Sequence, residues 1–154
     1  PVIAKEVGWG ISGEAARQLA NAGVAAIDVA GAGGTSWSQV EMHRNRDERK
    51  AHIAALFRDW GIPTADTIQL VRQAAPDVLI FASGGLHTGI DIAKCFALGA
   101  ELGGMAAPFL RAAVRSMEDT VSFIEDVRTT IQIVMFACGA GDLQQLRQNK
   151  LVES

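Results

Sequence analysis

The sequence predicts an α/β fold of four successive strand-loop-helix units, the C-terminal half of a TIM (β/α)8 barrel containing strands five to eight with their flanking helices. Three observations predict it. Apolar runs that read as strands each lead into a glycine-rich or small-residue loop and then a helical pattern, and repeated units of this kind imply a parallel sheet with right-handed crossovers. The Ser83-Gly84-Gly85 loop follows the third strand and the Ala106-Ala107 turn follows the fourth. Paired loops after strands seven and eight are the usual phosphate site of such a barrel, whereas a doubly wound sheet carries its glycine fingerprint after the first strand. Finally, the 154 residues fall short of the ~250 that a complete barrel needs. A single domain is expected, as part of a chain that continues upstream of Pro1, where the first residues already read as a strand. Two open strand edges would favour association, so a homo-oligomer is expected.

Val2 to Val7 is a short apolar run ended by Gly8 and Gly10, and Ser12 is placed to cap a helix that stops at Gly23. Val24 to Ala30 forms the second strand and enters Gly31-Ala32-Gly33-Gly34-Thr35. A polar stretch from Ser36 to Lys50 then meets a helical pattern around Ile53, Leu56 and Phe57. After the break at Asp59-Trp60-Gly61-Ile62-Pro63, Thr64 or Asp66 is expected to cap a helix carrying Ile68, Leu70 and Val71. Val78 to Ala82 is continuously apolar, as in a strand buried on both faces, and a helix follows Thr88 and ends at Gly99. The fourth strand, Glu101 to Met105, is the weakest and feeds a helix near Phe109. Ser116 to Cys138 reads as an amphipathic or largely buried helix, before a short helix from Asp142 and a small tail.

Hydrophobic residues make up 49% and charged residues 20% of the chain, the balance of a globular domain with a core. The formal charge of −3 carries no basic stripe, because Arg44, Arg46, Arg49 and Lys50 alternate with Glu41, Asp47 and Glu48. Binding to nucleic acid is therefore not expected. No apolar run reaches membrane-spanning length, and the N-terminal residues do not resemble a signal peptide. Cys95 and Cys138 have neither metal-ligand spacing nor a disulfide framework, which fits a cytoplasmic setting. His43, His52 and His87 form no metal motif, and no nucleophile-base arrangement stands out.

The chemistry concentrates in the loops. Ser83-Gly84-Gly85-Leu86-His87 leaves a strand and opens a helix, so unpartnered N–H groups can face an anion, and glycine permits close approach. Met105-Ala106-Ala107-Pro108 provides the second half of that clamp. Lys5, inside the first apolar run, must be paired if buried; either an acceptor-rich ligand or an ion pair with Glu6 or Asp28 would serve. Thr35 and Trp37 lie beside the mouth of the site, where each could contact a ligand or simply order its loop.

Lys5 to Ser12, Asp28 to Trp37, Asp59 to Thr64, and Ala82 to Leu86 through Leu98-Gly99-Ala100 together resemble the type 2 isopentenyl-diphosphate isomerases, across essentially the whole chain. The resemblance implies an FMN-dependent isomerase that interconverts isopentenyl and dimethylallyl diphosphate, with NADPH to reduce the flavin and Mg2+ to hold the substrate. It also implies that Lys5 and Thr35 contact FMN, and that Gly84, Gly85, Leu86 and His87 with Ala106 and Ala107 hold its phosphate. Proton transfer would belong largely to the flavin, consistent with the lack of a protein acid-base pair.

The sequence departs from the family pattern at Ala30, often a serine, and at His87, where Arg or Lys is usual. The family's Mg2+-binding glutamate and basic substrate residues correspond to sequence before Pro1, so the fragment alone is expected to be inactive. Two alternatives are a 2-hydroxy acid oxidase-type FMN barrel and a non-catalytic half-barrel that binds FMN or phosphate. The first would carry His-Gly-Gly-Arg where this chain has Ala32-Gly33-Gly34-Thr35.

Overall fold

Each apolar run forms a strand, and the strands lie side by side in chain order. The computed structural model describes residues 1–149 and 151. Among these residues the elements are β1 (Ile3–Lys5), α1 (Gly13–Asn21), β2 (Ala26–Asp28), α2 (Trp37–Arg44), α3 (Glu48–Ala55), α4 (Thr64–Ala74), β3 (Leu79–Ala82), α5 (Gly89–Ala97), β4 (Leu102–Gly103), α6 (Ala107–Arg115), α7 (Met117–Ala137) and α8 (Leu143–Leu146). The sheet order is β1-β2-β3-β4 and every pairing is parallel. The register sets Lys5 opposite Asp28, Asp28 opposite Phe81 and Phe81 opposite Leu102.

Side chains alternate across a strand, and here the two faces have different fates. Ile27, Val29, Ile80 and Ala82 pack into one cluster with Ala16 of α1, Ile68 and Val71 of α4, and Cys95 of α5. On the other face Ile3, Leu79 and Leu102 remain 53%, 48% and 47% exposed. A strand order without reversal, with the helices gathered on one face, is the arrangement of a barrel wall; a doubly wound sheet reverses its order and covers both faces. This face corrects one expectation, since β3 is not buried on both sides.

Local chemistry sets the helix ends. Ser12, Thr88, Ser116 and Asp142 accept backbone N–H bonds as N-caps of α1, α5, α7 and α8. Gly23 and Gly99 follow α1 and α5 with φ of 86° and 108°, a conformation glycine adopts without a Cβ penalty. The region after Ser36 becomes two helices because Asn45 turns extended and Asp47 starts α3 by accepting from the N–H groups of Arg49 and Lys50. The N-cap of α4 is Pro63, not Thr64 or Asp66. Proline presets the entry dihedral, and the Thr64 hydroxyl is engaged elsewhere.

Of the two states expected for α7, the largely buried one is not found, since none of its residues is fully buried. Ile131, Val134 and Met135 pack against the Ile92 and Phe96 cluster, while Val121, Ile124 and Phe136 face outward. The small tail expected after α8 falls largely outside the described residues. No helix among the described residues is long and apolar enough to cross a membrane.

At the N-terminal ends of β3 and β4, Arg72 donates to the Gly99 carbonyl and to Glu101, each at 2.7 Å. Glu101 in turn accepts from the Ile80 N–H at 2.7 Å, tying this end of the sheet together. The opposite, C-terminal ends remain open for chemistry.

Cys95 packs in the core as expected, and burial, with the nearby Asp91 charge, pushes its thiol up to about 11. Cys138 is exposed. Only the thiolate reacts, so alkylation of the native protein at pH 8 is expected to modify Cys138 and spare Cys95, with both modified after denaturation. Peptide mapping by mass spectrometry checks this.

Candidate functional site

A cavity of about 480 Å3 opens at the C-terminal ends of the strands. Its walls bring together all the residues singled out in the sequence, Lys5, Thr35, Gly84, Gly85, Leu86, His87, Ala106 and Ala107. These lie on four separate strand-to-helix connections, and the parallel register aligns those connections on one edge. The cavity volume is within the ordinary range of small-molecule sites.

One end of this cleft is an array of backbone donors. The N–H groups of Gly84, Gly85, Leu86, Met105 and Ala106 make no hydrogen bond among the described residues. α6 starts at Ala107 with proline in its first turn, so its leading N–H groups and helix dipole add to the same side. The N-terminus of α5 differs from expectation. Asp91 already accepts from the N–H groups of His87 and Thr88 and from the Thr88 hydroxyl. Burial would raise the Asp91 carboxyl, but these donors and Lys94 outweigh it and hold it below the usual aspartate range. His87 therefore has only its imidazole to offer a ligand. Leu86 sends its side chain into the core, leaving its N–H to the cleft.

The cradle depends on glycine for packing as well as for donors. Gly84 and Gly85 have φ of 104° and 72°. A Cβ on Gly84 would collide with the backbone of Gly31, and one on Gly85 would stand 2.5 Å from the Gly33 carbonyl carbon. The loops after β2 and β3 thus touch through bare backbone. Thr64 completes the joint, its hydroxyl donating to the Gly84 carbonyl at 2.6 Å and its N–H to the Ala32 carbonyl at 3.3 Å. Its place in the sequence suggested a helix cap and gave no sign of this role.

Polar side chains form the floor beneath β1, β2 and β3. Lys5 is more exposed than its apolar surroundings suggested, and it pairs with Asp28 at 3.0 Å, one of the partners anticipated for it. Ser83 donates to the same carboxylate at 2.6 Å. Asp28 and Ser83 also line the cavity; sequence placed Ser83 in the phosphate loop and offered Asp28 as a partner for Lys5, but gave no sign that the two side chains meet. They are separated by 55 positions and meet only through the β2–β3 register.

Ala30 stands next to this group in a left-handed conformation, φ 33°, unusual for a residue with a Cβ. Two bonds clamp it, its N–H donating to Asp28 and its carbonyl accepting from Gly10 N–H. Glu6 fixes the neighbouring loop, one carboxylate oxygen accepting from the N–H groups of Val7, Gly8 and Trp9 at 2.6–2.8 Å. The Trp37 indole donates to the Val7 carbonyl, which orders this loop from outside. Thr35 borders both this cleft and a second cavity of about 420 Å3 lined by Trp9, Arg58 and Trp60. No group of three or more His, Cys, Asp or Glu among the described residues could hold a metal ion.

A cleft with unpartnered amides and a helix N-terminus at one end, and an ammonium among hydrogen-bonded side chains at the other, suits a phosphate monoester joined to an acceptor-rich ring. FMN is such a molecule, and the donor set fits it.

Comparison with known proteins agrees with that chemistry. The family model described as FMN-dependent dehydrogenase matches residues 1–153. The chain is 50% identical over 153 residues to the isopentenyl-diphosphate delta-isomerase of Stutzerimonas stutzeri (strain A1501), covering 99% of this chain and 44% of that protein. It is 51% identical over 148 residues to the enzyme of the same name from Synechocystis sp. (strain ATCC 27184 / PCC 6803 / Kazusa), covering 96% and 42% respectively. A solved mandelate oxidase variant with (S)-mandelic acid superposes with a TM-score of 0.72 at 18% identity, over 100% of this chain and 40% of that one. At that identity the likeness is one of fold. The chain thus spans less than half the length of each of these proteins.

Proposed function

The chain belongs to the FMN-dependent dehydrogenase family, and from that premise we propose that it forms strands five to eight of a (β/α)8 barrel that interconverts isopentenyl and dimethylallyl diphosphate. The observation that carries this reading is the identity of about half its residues, over nearly its whole length, with enzymes named isopentenyl-diphosphate delta-isomerase. The bare sheet face, with Ile3, Leu79 and Leu102 exposed, supports a barrel interior closed by the rest of a longer protein.

In this reading Gly84, Gly85 and Leu86 with Ala106 and Ala107 hold the FMN phosphate through backbone N–H groups, and the imidazole of His87 flanks it. Lys5 and Thr35 reach the flavin from β1 and the loop after β2. Bound reduced FMN supplies the acid-base chemistry of the allylic double-bond shift. Asp28 has both carboxylate oxygens engaged by Lys5, Ser83 and Ala30, so it is not assigned proton transfer. The chain's own contribution is to anchor and orient the cofactor. NADPH as reductant and Mg2+ on the substrate diphosphate complete the proposal, with the Mg2+ ligands in the remainder of the protein. A cytoplasmic homo-oligomer is proposed as its working form, the cytoplasmic setting supported by the free cysteines.

The test is turnover by the intact protein. With FMN reduced by NADPH and Mg2+ present, isopentenyl diphosphate is expected to convert to dimethylallyl diphosphate without net consumption of NADPH. Bound FMN with no isomerisation, but with oxidation of a 2-hydroxy acid, would replace this reading by the oxidase alternative.

A further inference from the structure

Three side chains from distant parts of the sequence close a ring at the C-terminal ends of β1, β2 and β3. Lys5 Nζ lies 3.0 Å from Asp28 Oδ2 and donates to Ser83 Oγ at 3.3 Å. The Ser83 hydroxyl donates to Asp28 Oδ1 at 2.6 Å, and the Ala30 N–H donates to the same oxygen at 3.2 Å. The register makes the ring inevitable. Lys5 faces Asp28 across the β1–β2 pair, and Ser83 lies two residues beyond Phe81, the partner of Asp28, on the same face of the sheet.

The ring is asymmetric in exposure. The Asp28 side chain is 16% exposed and that of Lys5 is 55% exposed, so the carboxylate forms the base and the ammonium stands in the cleft. Both Asp28 oxygens are taken and the Ser83 proton is committed to Asp28, leaving neither group free to act on a ligand. An ammonium has three protons. Two are used within the ring, and the remaining one is directed by those two anchors.

We propose that Asp28 is a positioning residue for Lys5, holding its ammonium in a single orientation so that the cleft presents a directed cationic donor to the ring of the bound flavin. This inference rests on the FMN reading above. With its lysine more than half exposed, the ion pair contributes little to stability, so its arrangement is better explained by what Lys5 offers to the cleft. Because the anchoring is indirect, removing Asp28 should act only through Lys5.

The test is a double-mutant cycle in the intact protein with Asp28→Asn, Lys5→Met and both together, titrated with FMN by flavin fluorescence. Asparagine can still accept from Ser83 and Ala30. Each single change is expected to weaken FMN binding about tenfold, and the double variant no more than Lys5→Met alone. The midpoint potential of bound flavin provides a second readout. Lys5→Met should lower it by removing a cation from beside the electron-rich reduced ring. Asp28→Asn should lower it too, with no further fall in the double variant.

If Asp28 acted by its own charge, Asp28→Asn would raise the potential; if it were merely structural, the binding losses would add. Either result overturns the inference while leaving the FMN reading intact. Failure of the unsubstituted protein to bind FMN would instead remove the FMN reading. Should Asp28→Asn not fold, Ser83→Ala takes its place in the same cycle, with the same coupling to Lys5 expected.

Discussion

Gly85→Ala is expected to weaken FMN binding by about 100-fold or more in the intact protein while leaving riboflavin binding nearly unchanged. Gly85 has φ 72°, and an added methyl would meet the carbonyl carbon and oxygen of Gly33 at 2.5 and 2.6 Å. The left-handed conformation alone costs alanine ~1–2 kcal/mol. Backbone cannot yield to such contacts as a flexible side chain can, so the loop must move and its donors lose their alignment. Charge-assisted hydrogen bonds contribute about 1.5–3 kcal/mol each, so losing two reduces affinity by about two orders of magnitude or more. Gly23→Ala supplies the control. Gly23 has φ 86°, but a Cβ there meets nothing within 4 Å. It should lower thermal stability by a similar strain and leave FMN affinity intact. Equal losses from both substitutions would mean that strain, not the cradle, controls binding.

Ala107→Glu carries the second large effect and separates binding from stability. Ala107 is exposed and is the first residue of α6, where a carboxylate favours the helix dipole. The same carboxylate would face the phosphate. Two unit charges about 5 Å apart repel by about 3 kcal/mol at an effective dielectric near 20, so FMN affinity should fall ~100-fold. Thermal stability without flavin should stay constant or rise slightly. Ala107→Gln, similar in shape and uncharged, should retain most of the affinity. Because the penalty is electrostatic, salt should relieve part of it. A carboxylate tolerated without loss would place the phosphate elsewhere.

Much of the scaffold was legible because its signals are local. A strand that ends in glycine, followed by a capping hydroxyl or carboxylate, can be read within a dozen residues, and Ser12, Thr88 and Asp142 cap the helices expected of them. The cleft residues could be gathered from sequence because each follows a strand end, and parallel strands align their ends. What escaped depends on register and tertiary contact. The meeting of Lys5, Asp28 and Ser83 requires knowing that three strands pair without offset. Thr64 has the look of a helix cap, yet a proline takes that position and leaves the hydroxyl to brace Gly84.

Hydrophobic patterning was informative about faces and silent about what covers them. α7 has the apolar content of a core helix, but only part of it packs against α5 and the Leu146 cluster. In the same way β3 reads as a strand buried twice, although one of its faces is open in this chain. Loop carboxylates were the hardest to anticipate. Glu6 reads in sequence as a possible partner for Lys5, yet it gathers three consecutive backbone N–H groups and fixes the mouth of the cleft.

The most direct measurement of the central claim is a crystal structure of the intact protein with FMN bound. The account predicts the phosphate within hydrogen-bond distance of the N–H groups of Gly84, Gly85, Leu86, Ala106 and Ala107, with the flavin ring reaching Lys5. A phosphate seated away from the Gly84–Leu86 loop, or a ring lying outside the cleft between β1 and β3, would contradict it.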